Sequence, residues 1–386
     1  MKYWLKKYAK RLRSIYRVLE SLFSISLERI GFKSKNSSNR VMVIYDTTRQ
    51  PFAIGDFLVT QIAGLINCQK FNVEIVDIAI IYDQRKPASS DRVFFGIIGK
   101  DNVLLQITSL MSVLSVNPCI GSVFLLNSKT QAEEFINKHN DSYRNIYPGF
   151  IDYASGTYLN HLIFNELIYA FYSKKNFIPR LEPTKALNLW ANHFMQEHIG
   201  ELFPVTVNIR NNPHWGSSRN SKITEWERFF EYCIDKFPVK FIVICSKNEV
   251  SNKLRRLPNV IFAKDYHTEL DQELSLIANS RFHMGANSGP AAMAYFGSKP
   301  YFIFGLNIND NTHPEFLYDG LIEKISNKKF KFIFSSFGQS FTSEPESFDT
   351  LCQSFLDMFN LTIELRKMKS KKNDVLKSDS RFSWMR

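Results

Sequence analysis

Leu274–Gly305, LSLIANSRFHMGANSGPAAMAYFGSKPYFIFG, decides how the chain is read. It reads as a helix, a short strand, a turn at Ser288-Gly289-Pro290, a helix opening with Ala291-Ala292-Met293-Ala294, a Gly-Ser-Lys-Pro turn and a second strand. Pro290 suits the first turn of a helix, where its missing N–H costs nothing. The other first-turn N–H groups lack intrahelical partners and carry the positive end of the helix dipole. Gly289 has no Cβ, so its backbone is expected to admit an anion at close range. The small residues let the helix lie tight against a sheet. The unit thus predicts a phosphate seat at the carboxyl edge of a parallel sheet, and with it a nucleotide-bearing ligand.

The rest of the chain alternates strand and helix in the same way. Upstream lie strands at Val205–Ile209, Lys240–Cys245 and Val260–Phe262, with helices at Glu225–Asp235, Glu249–Arg256 and Leu270–Asn279. Further back are strands at Val41–Tyr45, Val73–Val76 and Gly121–Leu126 and helices at Phe57–Leu65 and Lys129–Lys138. A last helix is read at Ser347–Ile363. Such alternation predicts parallel sheets covered on both faces. A length of 386 residues suits two α/β domains. The expected division is a basic amphipathic helix and linker over 1–40, a first α/β domain over 41–176, an interdomain connection over 177–203, a second α/β domain over 204–365 and a basic disordered tail over 366–386.

Charge sits at the ends. Residues 1–40 carry net +9 and residues 366–386 net +6, which leaves 41–365 at net −3 within a total of +12. A nucleic-acid enzyme more often spreads basic surface across its body, so no nucleic-acid partner is expected. The N-terminal stripe of Trp4, Leu5, Tyr8, Leu12, Ile15, Tyr16 and Leu19 is flanked by Lys and Arg. That is the form of an interfacial helix on an anionic membrane surface, or of a helix packed on the protein with a solvated basic face. It lacks the apolar core of a signal peptide. Five scattered cysteines without a CxxC pair argue against a disulfide framework or structural zinc and fit a reducing compartment. The expected location is cytoplasmic, peripheral at the inner face of the cell membrane.

Three stretches carry a resemblance to a family. Ile54-Gly55-Asp56 follows the first strand, Val205–Arg210 (VTVNIR) opens the second half, and Asp271–Gly305 holds the Ser-Gly-Pro unit. Together they resemble the GT-B glycosyltransferases, in particular the bacterial heptosyltransferase-type and fucosyltransferase-like enzymes. The resemblance implies two Rossmann-like doubly wound domains facing a cleft. It also implies transfer of a sugar from a nucleotide-sugar donor to a glycan or lipid-linked acceptor in bacterial surface polysaccharide assembly. Two positions depart from the heptosyltransferase pattern: Asn287 stands where an acidic residue is usual, and Ala292 where a histidine is usual.

Glycosyl transfer needs a stabilised leaving diphosphate and a deprotonated acceptor hydroxyl. Arg210 follows a strand, where ligands bind in open α/β sheets, and its planar fork suits phosphate; a surface salt bridge is the plainer alternative. Ser288 and Gly289 offer hydroxyl and backbone donors, or an ordinary tight turn. Asn287 suits a sugar hydroxyl or a turn. Lys247 either reaches phosphate or lies in a polar turn capping the next helix. Asp56, beside Gly55, is the candidate general base, although an acid at a helix start is also favoured electrostatically. Asp46 is a reserve base, and Asp271 a helix cap. His214 and Trp215 are loop candidates for acceptor contact and stacking. With no DxD motif and dispersed histidines, no metal and no cofactor are expected. A nucleotide-sugar epimerase on the same scaffold and a non-catalytic nucleotide- or glycan-binding protein are the competing functions.

Overall fold

A computed structural model describes residues 38–48, 53–82, 103–149, 160–212, 219–246, 252–306 and 320–378. The first half contains β1 (Arg40–Asp46), α1 (Ile54–Phe71), β2 (Ile75–Ile81), α2 (Val103–Leu110), β3 (Ile120–Leu126), α3 (Lys129–His139), β4 (Asn145–Tyr147) and α4 (Asn160–Lys175). Its four strands are all parallel, in the order β3-β2-β1-β4. The second half begins with α5 (Lys185–His198), β5 (Phe203–Asn208), α6 (Ile223–Cys233), β6 (Val239–Ile244) and β7 (Val260–Phe262). It continues with α7 (Leu270–Asn279), β8 (Phe282–Ala286), α8 (Ala291–Phe296) and β9 (Tyr301–Phe304). The hairpin strands β10 (Ile322–Lys324) and β11 (Lys329–Phe332), then β12 (Gln339–Thr342) and α9 (Phe348–Ser378), complete it. Parallel strands run β7-β6-β5-β8-β9-β12, and β11 and β10 extend the β12 edge antiparallel.

In each sheet the first strand is internal, and strand order reverses beside it: at β1 between β2 and β4, and at β5 between β6 and β8. Right-handed crossovers to opposite faces leave a crevice at the carboxyl ends there, the usual ligand position in such sheets. Alternation in β5 sends Val205 and Val207 into an aromatic core with Trp226, Phe229, Phe230, Phe241, Phe282 and Phe355, clamped under α6 and α9. Thr206 and Asn208 fall on the other face. A second core runs through both halves, joining Val41, Val43, Phe57 and Leu58 to Leu274 and the α8 residues Ala291–Phe296.

Several readings of the sequence change. Strand β2 starts at Ile75 and not at Val73, because Asn72 closes α1 in the left-handed region (φ 53°) and the Val73 N–H donates to the Cys68 carbonyl at 3.0 Å. The last helix continues past Ile363 to Ser378 and takes in most of the expected disordered tail. No Gly or Pro interrupts 348–378, so nothing in that run breaks a helix. Of the helix expected at Glu249–Arg256, the described part is a 3-10 turn at Leu254–Arg256. The N-cap position of α7 is Glu269, in a reciprocal box with Gln272, and Asp271 stands in the first turn, where its carboxylate accepts from the Gln272 N–H at 2.9 Å and from the Ser115 hydroxyl of the first half at 3.1 Å. The N-terminal basic helix lies outside the described residues.

The β5–β8 face that carries Thr206 also holds a buried histidine. His283 is 0 % exposed, its Nδ1 lies 3.1 Å from Thr206 Oγ1, and its Nε2 has no hydrogen-bond partner among the described residues. Burial pushes its imidazolium down from 6.5 to about 3. The folded protein therefore holds His283 neutral while the unfolded chain protonates below pH 6.5, so stability falls as pH drops through the window between these values. Between pH 7 and pH 5 this single group is expected to remove about 2 kcal/mol. Urea titrations of wild type and His283→Leu at the two pH values isolate the effect by difference: the variant, whatever its own offset, loses that much less. Equal pH slopes for the two proteins would contradict it.

Candidate active site

Strand β5 ends at the order reversal on Asn208, a residue the sequence reading passed over. Its Nδ2 donates to the Ile244 carbonyl at the end of β6 at 2.7 Å, and its Oδ1 accepts from the Ser288 hydroxyl beyond β8. One buried amide thus ties together the carboxyl ends of three adjacent strands. A polar residue at the end of an otherwise apolar strand was the available signal.

Arg210 stands two residues further on and is 8 % exposed. Its Nη1 donates to Asn220 Oδ1. Its backbone is fixed on both sides, the N–H donating to Ser221 Oγ at 3.1 Å and the carbonyl accepting from the Ser221 N–H at 2.7 Å. Asn220 also accepts from the Asn212 N–H at 3.0 Å and donates to the Asn212 carbonyl at 2.8 Å. Behind them Glu346, between β12 and α9, is buried. It accepts from the Ser221 hydroxyl at 3.2 Å, the Lys222 N–H at 3.0 Å and Trp226 Nε1 at 2.9 Å. Burial pushes its carboxyl up, and these three donors pull it back. Glu346 lies 125 residues from Ser221, so no local pattern pointed to it.

The Ser-Gly-Pro turn is bonded to the helix it opens. The Ala291, Ala292 and Met293 N–H groups donate to the Ser288, Gly289 and Pro290 carbonyls at 3.1, 3.1 and 3.0 Å. The helix that follows is a six-residue segment. The N–H groups of Ala291, Ala292 and Met293 are therefore satisfied within the turn. A Cβ on Gly289 would stand 2.9 Å from Ile54 Cβ, so the missing side chain makes room for the first turn of α1. Asn287 is 4 % exposed, and its Oδ1 accepts from the Tyr295 hydroxyl at 3.0 Å, which pins the turn to α8.

The same close approach brings the two halves together at the site. A Cβ on Gly55 would lie 3.8 Å from Gly289 Cα, so the α1 start and the Ser288-Gly289-Pro290 turn meet backbone to backbone. Asp56 is the next residue, half-buried in the first turn of α1, a helix whose N-cap Ala53 supplies no side-chain cap. Asp46 is fully buried, and its Oδ1 accepts from the Thr48 N–H at 2.9 Å and the Thr48 hydroxyl at 2.6 Å, the pattern of a turn. Gly55, Asp56, Arg210, Asn287, Ser288 and Gly289 are thus gathered at the carboxyl edges of two parallel sheets. Lys247, His214 and Trp215 lie outside the described residues. Among the described residues no three His, Cys, Asp or Glu side chains come together as a metal-binding set.

No family model matches the chain, and no curated protein matches it in sequence. Among solved structures, ADP-heptose lipopolysaccharide heptosyltransferase II of E. coli aligns over 85 % of this chain and 99 % of its own at 12 % identity, with a TM-score of 0.51. A glycosyl transferase family 9 protein from Veillonella parvula DSM 2008 aligns over 70 % and 81 % at 10 % identity, with a TM-score of 0.46. The NodZ α-1,6-fucosyltransferase co-crystallised with GDP aligns over 68 % and 94 % at 8 % identity, with a TM-score of 0.28. Of these three the first carries the comparison, and at that identity it speaks for architecture: the chain has the two-halved α/β fold of the GT-B glycosyltransferases.

Proposed function

We propose that the chain is a glycosyltransferase that moves a sugar from a nucleotide-sugar donor to a glycan or lipid-linked acceptor, using neither metal nor other cofactor, in the assembly of a bacterial surface polysaccharide. The observation that carries this reading is the placement of Arg210 past the β5 end, with the Asp56-bearing turn of α1 delivered to the same edge by the Gly55–Gly289 contact.

In the reaction the anomeric C–O bond to the diphosphate breaks as a bond from the acceptor hydroxyl forms. Charge grows on the leaving oxygen. Arg210 stabilises it by charge-assisted hydrogen bonds in a site partly shielded from water. The Asp56 carboxylate takes the acceptor proton. Asn287 and Ser288 fix the wall between them. Lys247, in the sequence after β6, adds positive charge, and His214 and Trp215, in the sequence after Arg210, contact donor or acceptor.

The basic, aromatic segment at the N-terminus holds the enzyme against the anionic inner face of the membrane, near a lipid-linked acceptor. Among the described residues no helix is long and apolar enough to cross a membrane.

Asp56→Asn separates binding from chemistry. The variant is expected to release nucleoside diphosphate from the donor about 100-fold more slowly while its affinity for that diphosphate stays at the wild-type value. Coupled release assays and calorimetry on the same preparation measure the two. Wild-type turnover in Asp56→Asn would remove Asp56 as the base.

A further inference from the structure

The guanidinium of Arg210 is held by a neutral amide, and that amide is itself anchored with care. Asn220 accepts twice at Oδ1, from Arg210 Nη1 and from the Asn212 N–H at 3.0 Å, and donates once, to the Asn212 carbonyl at 2.8 Å. The next residue, Ser221, is fixed to the Arg210 backbone by two hydrogen bonds and to the buried Glu346 by a third. Glu346 also holds the Lys222 N–H and the Trp226 indole at the entry of α6. The side chain at 220 therefore has little freedom, and neither does the arginine fork it grips.

We propose that Asn220 is a positioning residue that pre-sets the Arg210 guanidinium for a diphosphate, with Glu346 and Ser221 as its fixed base; this rests on Arg210 being the diphosphate contact. An arginine side chain has large rotamer freedom, and ordering it at the moment of binding lowers affinity. A hydrogen bond made beforehand transfers that cost to folding. The residue type fits the role. An amide accepts from guanidinium without a formal charge, whereas a carboxylate at 220 would form an ion pair that an incoming anion must break. The plainer role for Asn220 is to hold Asn212 through their paired bonds, and that role does not act through Arg210.

The test is a double-mutant cycle on the full chain, with inorganic pyrophosphate as probe. Calorimetry at low ionic strength, where weakened variants still bind, gives Kd, and thermal unfolding checks the fold of each protein. Asn220→Ala is expected to weaken pyrophosphate binding about tenfold. Asn220→Asp, nearly the same in shape, is expected to weaken it more. On the Arg210→Ala background the Asn220→Ala change should do nothing further, since a positioning residue has nothing left to position. Wild-type affinity in Asn220→Ala, or a tenfold loss that persists without Arg210, would overturn the proposal and leave Arg210 in its role. Pyrophosphate that fails to bind the wild type, or that binds Arg210→Ala equally well, would remove the diphosphate role of Arg210 and this proposal together.

Discussion

Arg210→Ala is expected to slow sugar transfer about 1000-fold, the scale seen when one preorganised donor is removed from a developing oxyanion. Three features set the size. The side chain is 8 % exposed, so its electrostatics act in a medium poorer in water than the surface. Its backbone is locked by paired bonds to Ser221, so no neighbouring group slides in to replace it. It stands past the strand where the order of the sheet reverses, the usual ligand position in open α/β sheets. Both kcat and affinity for the nucleoside diphosphate should fall. Arg210→Lys keeps a point charge without the planar fork and should recover part of the loss. A steady-state assay of the three proteins against one donor measures it. Transfer by Arg210→Ala within about threefold of wild type would place the leaving group elsewhere.

Gly285→Ala is expected to destabilise the protein by more than about 3 kcal/mol, the range of mutations that combine backbone strain with a steric clash. Gly285 pairs with Asn208 across β8 and β5 and sits at φ +144°, a conformation L side chains rarely adopt. A Cβ there would overlap the Asn208 carbonyl oxygen and stand 2.7 Å from the Asn208 nitrogen. The obstacle is backbone within a sheet ladder, so it does not rotate away as a flexible side chain would. Relief requires the two central strands to part, and that moves the amide linking Ile244 to Ser288. Guanidinium unfolding of the variant measures the loss. A destabilisation below about 1 kcal/mol would mean the strands absorb the methyl group by shifting.

The fold was legible where apolar periodicity and turn chemistry agreed. Val41–Tyr45, Gly121–Leu126 and Val205–Ile209 are runs of β-branched and apolar residues, and each lies on an observed strand within a residue or two at its ends. The β10–β11 hairpin was not read, because its lysine-rich sequence between two short apolar pairs gives a weak period-two signal. The tail past Ile363 was read as disordered from its charge, yet helix propensity carries α9 on to Ser378.

At the candidate site, the strand-end rule and the turn residues point to Arg210 and the Ser-Gly-Pro turn. Their partners were not legible. Glu346 and Asn220 act through tertiary hydrogen bonds that no local spacing encodes. The neighbour of Gly289 was hidden for a related reason: a glycine reports that something comes close, and the sequence does not say that Ile54 of the other half does so.

The most direct test of the account is calorimetric titration of the full chain with UDP, GDP, ADP, CMP and dTDP in the presence of EDTA. The expected result is that one of these nucleotides binds clearly more tightly than the rest, that added magnesium does not change its Kd, and that the binding disappears in Arg210→Ala. Binding that requires magnesium, or that survives unchanged in Arg210→Ala, would contradict a metal-free donor site at the β5 edge. So would the failure of every nucleotide to bind.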